Sequence, residues 1–357
     1  MRTRKTSLFH ATRQQWRRLT ASPPVVWDVG AVTTRVLVGQ KLVFSQSSCI
    51  VLNPQDGTMI AYGDEAYRLL GNSGRHLTVV FPSDRSCVTD EQLLTRWLRF
   101  VRAQLWPRRR WLTGLRSPQG VLSISDNVGE SDRQVWLRTL ESAGLSSVAP
   151  VSGIVGIGWY LNVAHADEPC FVLEMGGSQT QVAILIKGEV FSSKQLGQGG
   201  IDLTTNVQAW VFETYHCQVS WRVAEDLKCE YGTLSSRQAG TKKVTLKGKD
   251  PYTQLGMTIA IEVSALRTML IAAQADNVLF IRQFLSGITA EVASKSLENG
   301  LWLTGGAAQL DGLESWLSVA LKSPVSVVRE PETAIARGVA IWQSALRQQR
   351  MSSGAHI

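Results

Sequence analysis

Residues 25–38 read VVWDVGAVTTRVLV, and residues 171–184 read FVLEMGGSQTQVAI. The two stretches align without a gap. In each, an apolar run meets a carboxylate (Asp28, Glu174), then a glycine two residues further on (Gly30, Gly176). A small polar turn follows, and Thr34 or Thr180 leads a second apolar run. Apolar run, glycine turn and apolar run spell a β-hairpin. A hairpin used twice at long spacing makes the chain an internal repeat.

A second repeated pair lies downstream of each hairpin. PVSGIVGIGW (150–159) and PETAIARGVAIW (331–342) both open on proline and continue with small residues. Each is predicted to be a helix beginning at its proline, where the missing N–H does no harm. Glycine and alanine on their faces let two such helices approach closely. The pattern predicts an α/β protein of two similar halves, each entered by a hairpin and closed by a small-residue helix.

The intervening stretches are legible in outline. Leu93, Leu94, Trp97, Leu98, Val101 and Leu105 form one stripe of a helix over 90–105. Thr89 and Gln92 fit a capping box at its start. Strands are expected at 120–125 and in 301–306. Helices are expected at 131–143 and 277–297, and a strand pair at 242–262.

Two hairpins facing across a cleft make a phosphate clamp. Glycines let backbone N–H groups reach phosphate oxygens, and the hydroxyls of Thr33, Thr34 and Ser178 add donors. Asp28 and Glu174, each ending a first strand, can hold the waters of a Mg²⁺ ion. Gly305 and Gly306 allow close approach of a flat base. No GxxxxGK[ST] is present, so this is not a P-loop protein.

Composition bounds the rest. The chain has 357 residues, 44% of them hydrophobic, enough for more than one domain. No apolar run is long enough to span a bilayer, and no secretory signal is expected. Five scattered cysteines without a CxxC pair read as reduced cytosolic thiols. Residues 1–27 hold six basic residues and no acid, and residues 92–125 hold seven arginines and no acid. Together these exceed the whole +8 net charge, so the remainder is mildly acidic. Two basic segments on an acidic body suit an anionic surface met on one face better than a nucleic acid.

The first segment also has an apolar stripe: Leu8, Phe9, Thr12, Trp16 and Leu19, flanked by Arg13, Arg17 and Arg18. Such a helix suits an anionic bilayer interface. Trp106 and Trp111, beside arginines in LWPRRRWL (105–112), suit the same headgroup region. Trp97, Trp136, Trp302 and Trp342 instead fall in core patterns.

Several motifs resemble the actin–Hsp70 superfamily, over residues 25–345. DVGAVTTRVLV resembles its first phosphate motif, LEMGGSQTQVAI its second and LTGGAAQLDGL (303–313) its adenosine motif. YGDEAYRLLG (62–71), AEDLKCEYG (224–232), LKGKDPYTQLG (246–256) and ITAEVASKSLENGLWLTGG (288–306) are similar to stretches of the bacterial MreB family.

The resemblance implies an actin-like ATPase fold around a nucleotide cleft. It implies a membrane arm (1–24), a first half (25–165, small subdomain 45–84), a second half (166–348, small subdomain 204–275) and a flexible tail (349–357). It places Ala31, Val32 and Thr33 at the nucleotide phosphates, with Gly176, Gly177 and Ser178 facing them. Glu225 and Lys228 fall at the ribose and adenine, and Gly305, Gly306, Ala307 and Ala308 along the base. The implied ligands are ATP and Mg²⁺.

The implied function is a filament of this chain with itself on the cytoplasmic side of the cell membrane. There it works with morphogenesis proteins in cell shape and wall synthesis. A non-polymerising adaptor on the same fold is the alternative. Four departures bear on chemistry: AVT (31–33) replaces the family's TAN, Glu174 replaces an Asp, Gln179 replaces a Thr, and Ala149 stands where a glutamate positions the attacking water. Impaired hydrolysis is therefore expected.

Overall fold

A computed structural model describes residues 25–70, 77–106, 120–145 and 148–353, with side chains through 349. In chain order its first part holds strands β1 (Val25–Val29), β2 (Thr33–Val38), β3 (Lys41–Ser47), β4 (Ile50–Leu52), β5 (Met59–Tyr62), β6 (Thr78–Val80), β7 (Ser83–Asp84), β8 (Cys87–Val88), β9 (Gly120–Ile124) and β10 (Val148–Ser152). Its helices are α1 (Gly63–Arg68), α2 (Glu91–Leu105), α3 (Glu130–Ser142) and α4 (Gly153–Tyr160). The second part holds β11 (Cys170–Met175), β12 (Thr180–Ile186), β13 (Glu189–Leu196), β14 (Lys243–Lys249), β15 (Gly256–Glu262), β16 (Leu301–Thr304) and β17 (Val325–Val327). Its helices are α5 (Gly200–Tyr215), α6 (Trp221–Tyr231), α7 (Ser236–Ala239), α8 (Val263–Ser286), α9 (Ala290–Asn299), α10 (Leu313–Leu321) and α11 (Ala334–Ser353).

The repeat seen in sequence is a repeat in space. One sheet runs β10-β9-β1-β2-β3 and the other β17-β16-β11-β12-β13. In both, a hairpin and a third strand pair antiparallel, and two later strands add in parallel. Asp28 pairs Arg35 in β1–β2, and Glu174 pairs Gln181 at the equivalent step of β11–β12.

Three apolar layers hold this frame. Trp27, Leu94, Trp97, Leu98 and Leu122 pack α2 and α3 on the outer face of the first sheet. Phe171, Leu173, Ile184, Leu266 and Phe284 do the same for the second sheet with α8. Between the sheets lie α4 and α11, whose Ile154, Ile157, Ala336 and Val339 meet Val26, Leu37, Val172 and Ala183. These two helices cross glycine to glycine, since a Cβ on Gly338 would stand 1.8 Å from the carbonyl oxygen of Gly156.

Several local expectations need correction. Pro150 lies inside β10, and Ser152 caps α4 by accepting from Val155 N–H. Pro331 opens a turn over residues 331–333, and α11 begins at Ala334. The register of β10 against β9 wins over proline's preference for a helix start. Asp90, rather than Thr89, caps α2 by accepting from Leu93 N–H at 2.9 Å. The helix expected over 277–297 is two helices, broken at residues 287–289 after Gly287 closes α8. α11 runs to Ser353, past the expected boundary at 348. Among the described residues no helix is long and apolar enough to cross a membrane.

Candidate functional site

A cleft of about 780 Å³ opens between the two halves. Both hairpin tips line it, through Gly30, Ala31, Val32 and Thr33 on one side and Gly176 and Gly177 on the other. The tips touch: a Cβ on Gly177 would stand 2.3 Å from Val32 Cγ2. Each tip is closed by the same turn bond, Gly30 N–H to Thr33 O at 3.1 Å and Gly176 N–H to Gln179 O at 2.8 Å. Gly200 and Ile201, at the start of α5, donate to Gly176 O and Gly177 O. Among the described residues, the N–H groups of Ala31, Val32, Gly177 and Ser178 bond to no other backbone group. Consecutive N–H groups of this kind in a turn suit an anion, and Ala31, Val32 and Gly177 line one cavity.

The carboxylates at the strand ends differ in environment. Asp28 has Arg35 directly opposite, with Arg35 Nη1 3.7 Å from Asp28 Oδ2. Burial raises its pKa and Arg35 opposes the rise. Glu174 has Gln181 at the corresponding place and so no cation. Burial, then the charges of Asp28 and Asp126, push its carboxyl up to about 8. Asp28 and Glu174 both line the cleft. An ionised Glu174 is therefore costly until a cation arrives.

The far walls come from the second half. Lys228 Nζ stands 2.7 Å from Glu225 Oε2 and donates to Thr204 Oγ1 at 2.7 Å and Gly200 O at 3.0 Å. This ties α6 to the first turn of α5, and both side chains stay on the cavity wall. Gly305, Gly306 and Ala307 line the opposite side. Gly305 has φ +90, and a Cβ there would stand 2.3 Å from Met175 O, so only glycine lets this loop lie against β11.

Three sequence-predicted residues are corrected in part. The Thr34 hydroxyl is turned inward, 2.7 Å from Ser48 Oγ, and accepts from Trp97 Nε1 at 2.8 Å. Ser178 Oγ accepts from Arg85 N–H at 2.9 Å. Ala308 is 2% exposed and packs in the core. Strand alternation explains Thr34, which follows the tip by one residue and takes the inward face.

Ala149 lies in β10 beside Val121 and is half-buried, away from the cleft lining. Trp106 is also corrected: its ring packs on the buried Trp27 at 6.1 Å, on the edge of the core. Leu8, Phe9, Trp16, Leu19 and Trp111 lie outside the described residues.

Sequence reasoning missed Arg35, Trp221, Gln309, Asp311 and Glu332 on the cavity wall. Arg35 was reachable, because the hairpin register alone sets it opposite Asp28. The others come from loops and helix ends with no local signal.

Twin five-stranded sheets with matched glycine hairpins around a cleft define the actin-like fold. The family model for MreB/Mbl protein matches residues 23–351, and the chain belongs to that family. Its relatives include the cell shape-determining protein Mbl of Bacillus subtilis (strain 168), 23% identical over 320 residues, covering 88% of this chain and 93% of Mbl. MreB5 of Spiroplasma citri bound to AMPPNP superposes with TM-score 0.86 at 18% identity, covering 93% of this chain and 99% of that one. A MamK double helical filament gives TM-score 0.74 at 16% identity, covering 90% and 99%. The chain is thus a member of a cytoskeletal family of cell-shape proteins.

Proposed function

We propose that this chain binds ATP with Mg²⁺ and forms filaments on the inner face of the cell membrane, serving cell shape and the organisation of wall synthesis. One observation carries the reading: Ala31, Val32 and Gly177, whose N–H groups bond to no other backbone group among the described residues, line a single cleft, and Ser178 follows Gly177 directly. They would hold the phosphates together with Thr33 and Gly176. Glu225 and Lys228 would meet the ribose and adenine, and Gly305, Gly306 and Ala307 the base. MreB5, which shares the fold, is bound to AMPPNP in its structure.

The residues present fit a magnesium ion. Among the described residues Glu174 has no cation partner, and Asp28 and Asp126 add negative charge. Mg²⁺ keeps several waters and takes one or two carboxylates plus phosphate oxygens. No ready cage of three ligating groups is therefore required, and none is found among the described residues. When bound, the ion would neutralise phosphate charge.

Hydrolysis is slow in this reading. The attacking water needs a positioned polar group, and Ala149 supplies none, since it ends in a methyl group and lies off the cleft lining. Membrane attachment falls to the arm at 1–24 and to Trp111, while Trp106 packs on Trp27.

Electron microscopy of the full chain with ATP and Mg²⁺, beside fluorescent-nucleotide binding and phosphate release, tests the reading. Saturable binding, filaments and little released phosphate are expected. Failure to bind nucleotide overturns it, and binding without filaments replaces it with a non-polymerising adaptor.

A further inference from the structure

The β7–β8 turn of the first half reaches across to the second phosphate hairpin. Its two loop residues, Arg85 and Ser86, both have positive φ, +47 and +64. That is a type I′ turn, which favours Asn-Gly. Here two non-glycine residues are held in it. Non-glycine residues persist in this region when their surroundings over-determine them.

The surroundings are specific. Arg85 N–H donates to Ser178 Oγ at 2.9 Å, and Ser86 Oγ donates to Gln179 Oε1 at 2.9 Å. Gln195 Nε2 donates to the same Gln179 oxygen at 2.7 Å. The Arg85 side chain passes over Gly197, and its Nη2 stands 3.5 Å from Asp202 Oδ1. Asp202 in turn accepts from Gly199 N–H at the start of α5. On the first-half side, Trp136 Nε1 donates to Ser86 O at 2.8 Å and fixes the turn to α3.

We infer that the Arg85–Ser86 turn is a clasp between the halves that positions the second phosphate hairpin and slows nucleotide release. Its partners Ser178 and Gln179 continue directly from Gly177 on the cavity wall. Opening the cleft pulls Ser178 and Gln179 away from Arg85 and Ser86, so the bonds must break before the halves part. Arg85 and Ser86 are positioning residues, since neither lines the cavity. Ser178 and Gln179 are the receiving side of the clasp.

The inference rests on the nucleotide reading for its effect on release, but not for the clasp itself. The informative variant is Ser86→Gly. It removes the hydroxyl while relieving the positive φ, so the turn itself is not weakened. Gln179→Ala removes the receiving oxygen, and the double variant completes a cycle.

Hydrogen exchange without nucleotide should show faster exchange at residues 177–181 in each single variant. The double variant should show no further gain, and thermal stability should be kept for Ser86→Gly. Release of a fluorescent ATP analogue should speed up several-fold in the same variants. Unchanged exchange at 177–181, or gains that simply add, overturns the clasp. Faster exchange in a chain that binds no nucleotide keeps the clasp and removes the nucleotide reading instead.

Discussion

Val32 and Gly177 touch across the cleft, one from each hairpin tip. A Cβ at position 177 would lie 2.3 Å from Val32 Cγ2 and 3.0 Å from Val32 Cβ. Valine is stiff at χ1 and cannot swing aside. The second hairpin therefore needs glycine at 177 to close on the first.

Gly177→Ala should push the tips apart. Overpacking of this kind costs about 1–3 kcal/mol. Nucleotide affinity should fall by about tenfold or more, given that about 1.4 kcal/mol is a factor of ten. Titration with a fluorescent nucleotide checks it, and unchanged affinity counts against the facing-hairpin site.

Thr34→Val tests the inward hydroxyl. It strands Trp97 Nε1 and Ser48 Oγ, both now bonded to Thr34. Leaving buried polar groups unpaired costs about 1–3 kcal/mol. Urea unfolding should show that loss with nucleotide affinity kept. Thr33→Ala should do the reverse, weakening binding at little cost to stability.

Glu174 sets a pH dependence. The unfolded chain ionises this carboxyl near 4.5, whereas the folded chain keeps its proton until about 8. Between those values the native state binds the extra proton, so this group makes stability fall as pH rises through the window. Glu174→Gln should flatten that part of the profile. Thermal unfolding from about pH 5.5 to about 8.5, without nucleotide or divalent cation, measures it. A slope the same in variant and wild type refutes the assignment.

Gly338→Ala should disrupt the crossing of α4 and α11. The added Cβ would meet the Gly156 carbonyl oxygen at 1.8 Å, backbone against backbone. The loss should reach at least the range typical of overpacking, about 1–3 kcal/mol. Unlike Gly177→Ala, it should carry no specific effect on the cleft. Chemical denaturation reads it directly.

How far these sites are legible in the sequence depends on how local their cause is. The hairpin repeat by itself places Asp28 with Arg35 and Glu174 with Gln181, because antiparallel register follows from turn length. The glycine tips and the Gly305 loop are readable for the same reason. Thr34 and Ser178 look like cleft donors because hydroxyls near a phosphate loop fit that role. Their true partners, Trp97 and Arg85, lie 63 and 93 residues away along the chain. Trp106 looks exposed beside its arginine neighbours, yet Trp27 receives it from another strand.

The sequence by itself determined the architecture. Two equivalent hairpins, two small-residue helices and their order leave few ways to build two sheets around paired helices. Backbone periodicity and glycine placement carry that information locally. Only the tertiary structure decided which side chains remain for a ligand. It turned Thr34 and Ser178 away, left Glu174 without a cation and set the Arg85–Ser86 turn against the second hairpin. Those outcomes depend on which distant groups meet in space, and packing rather than pattern sets them.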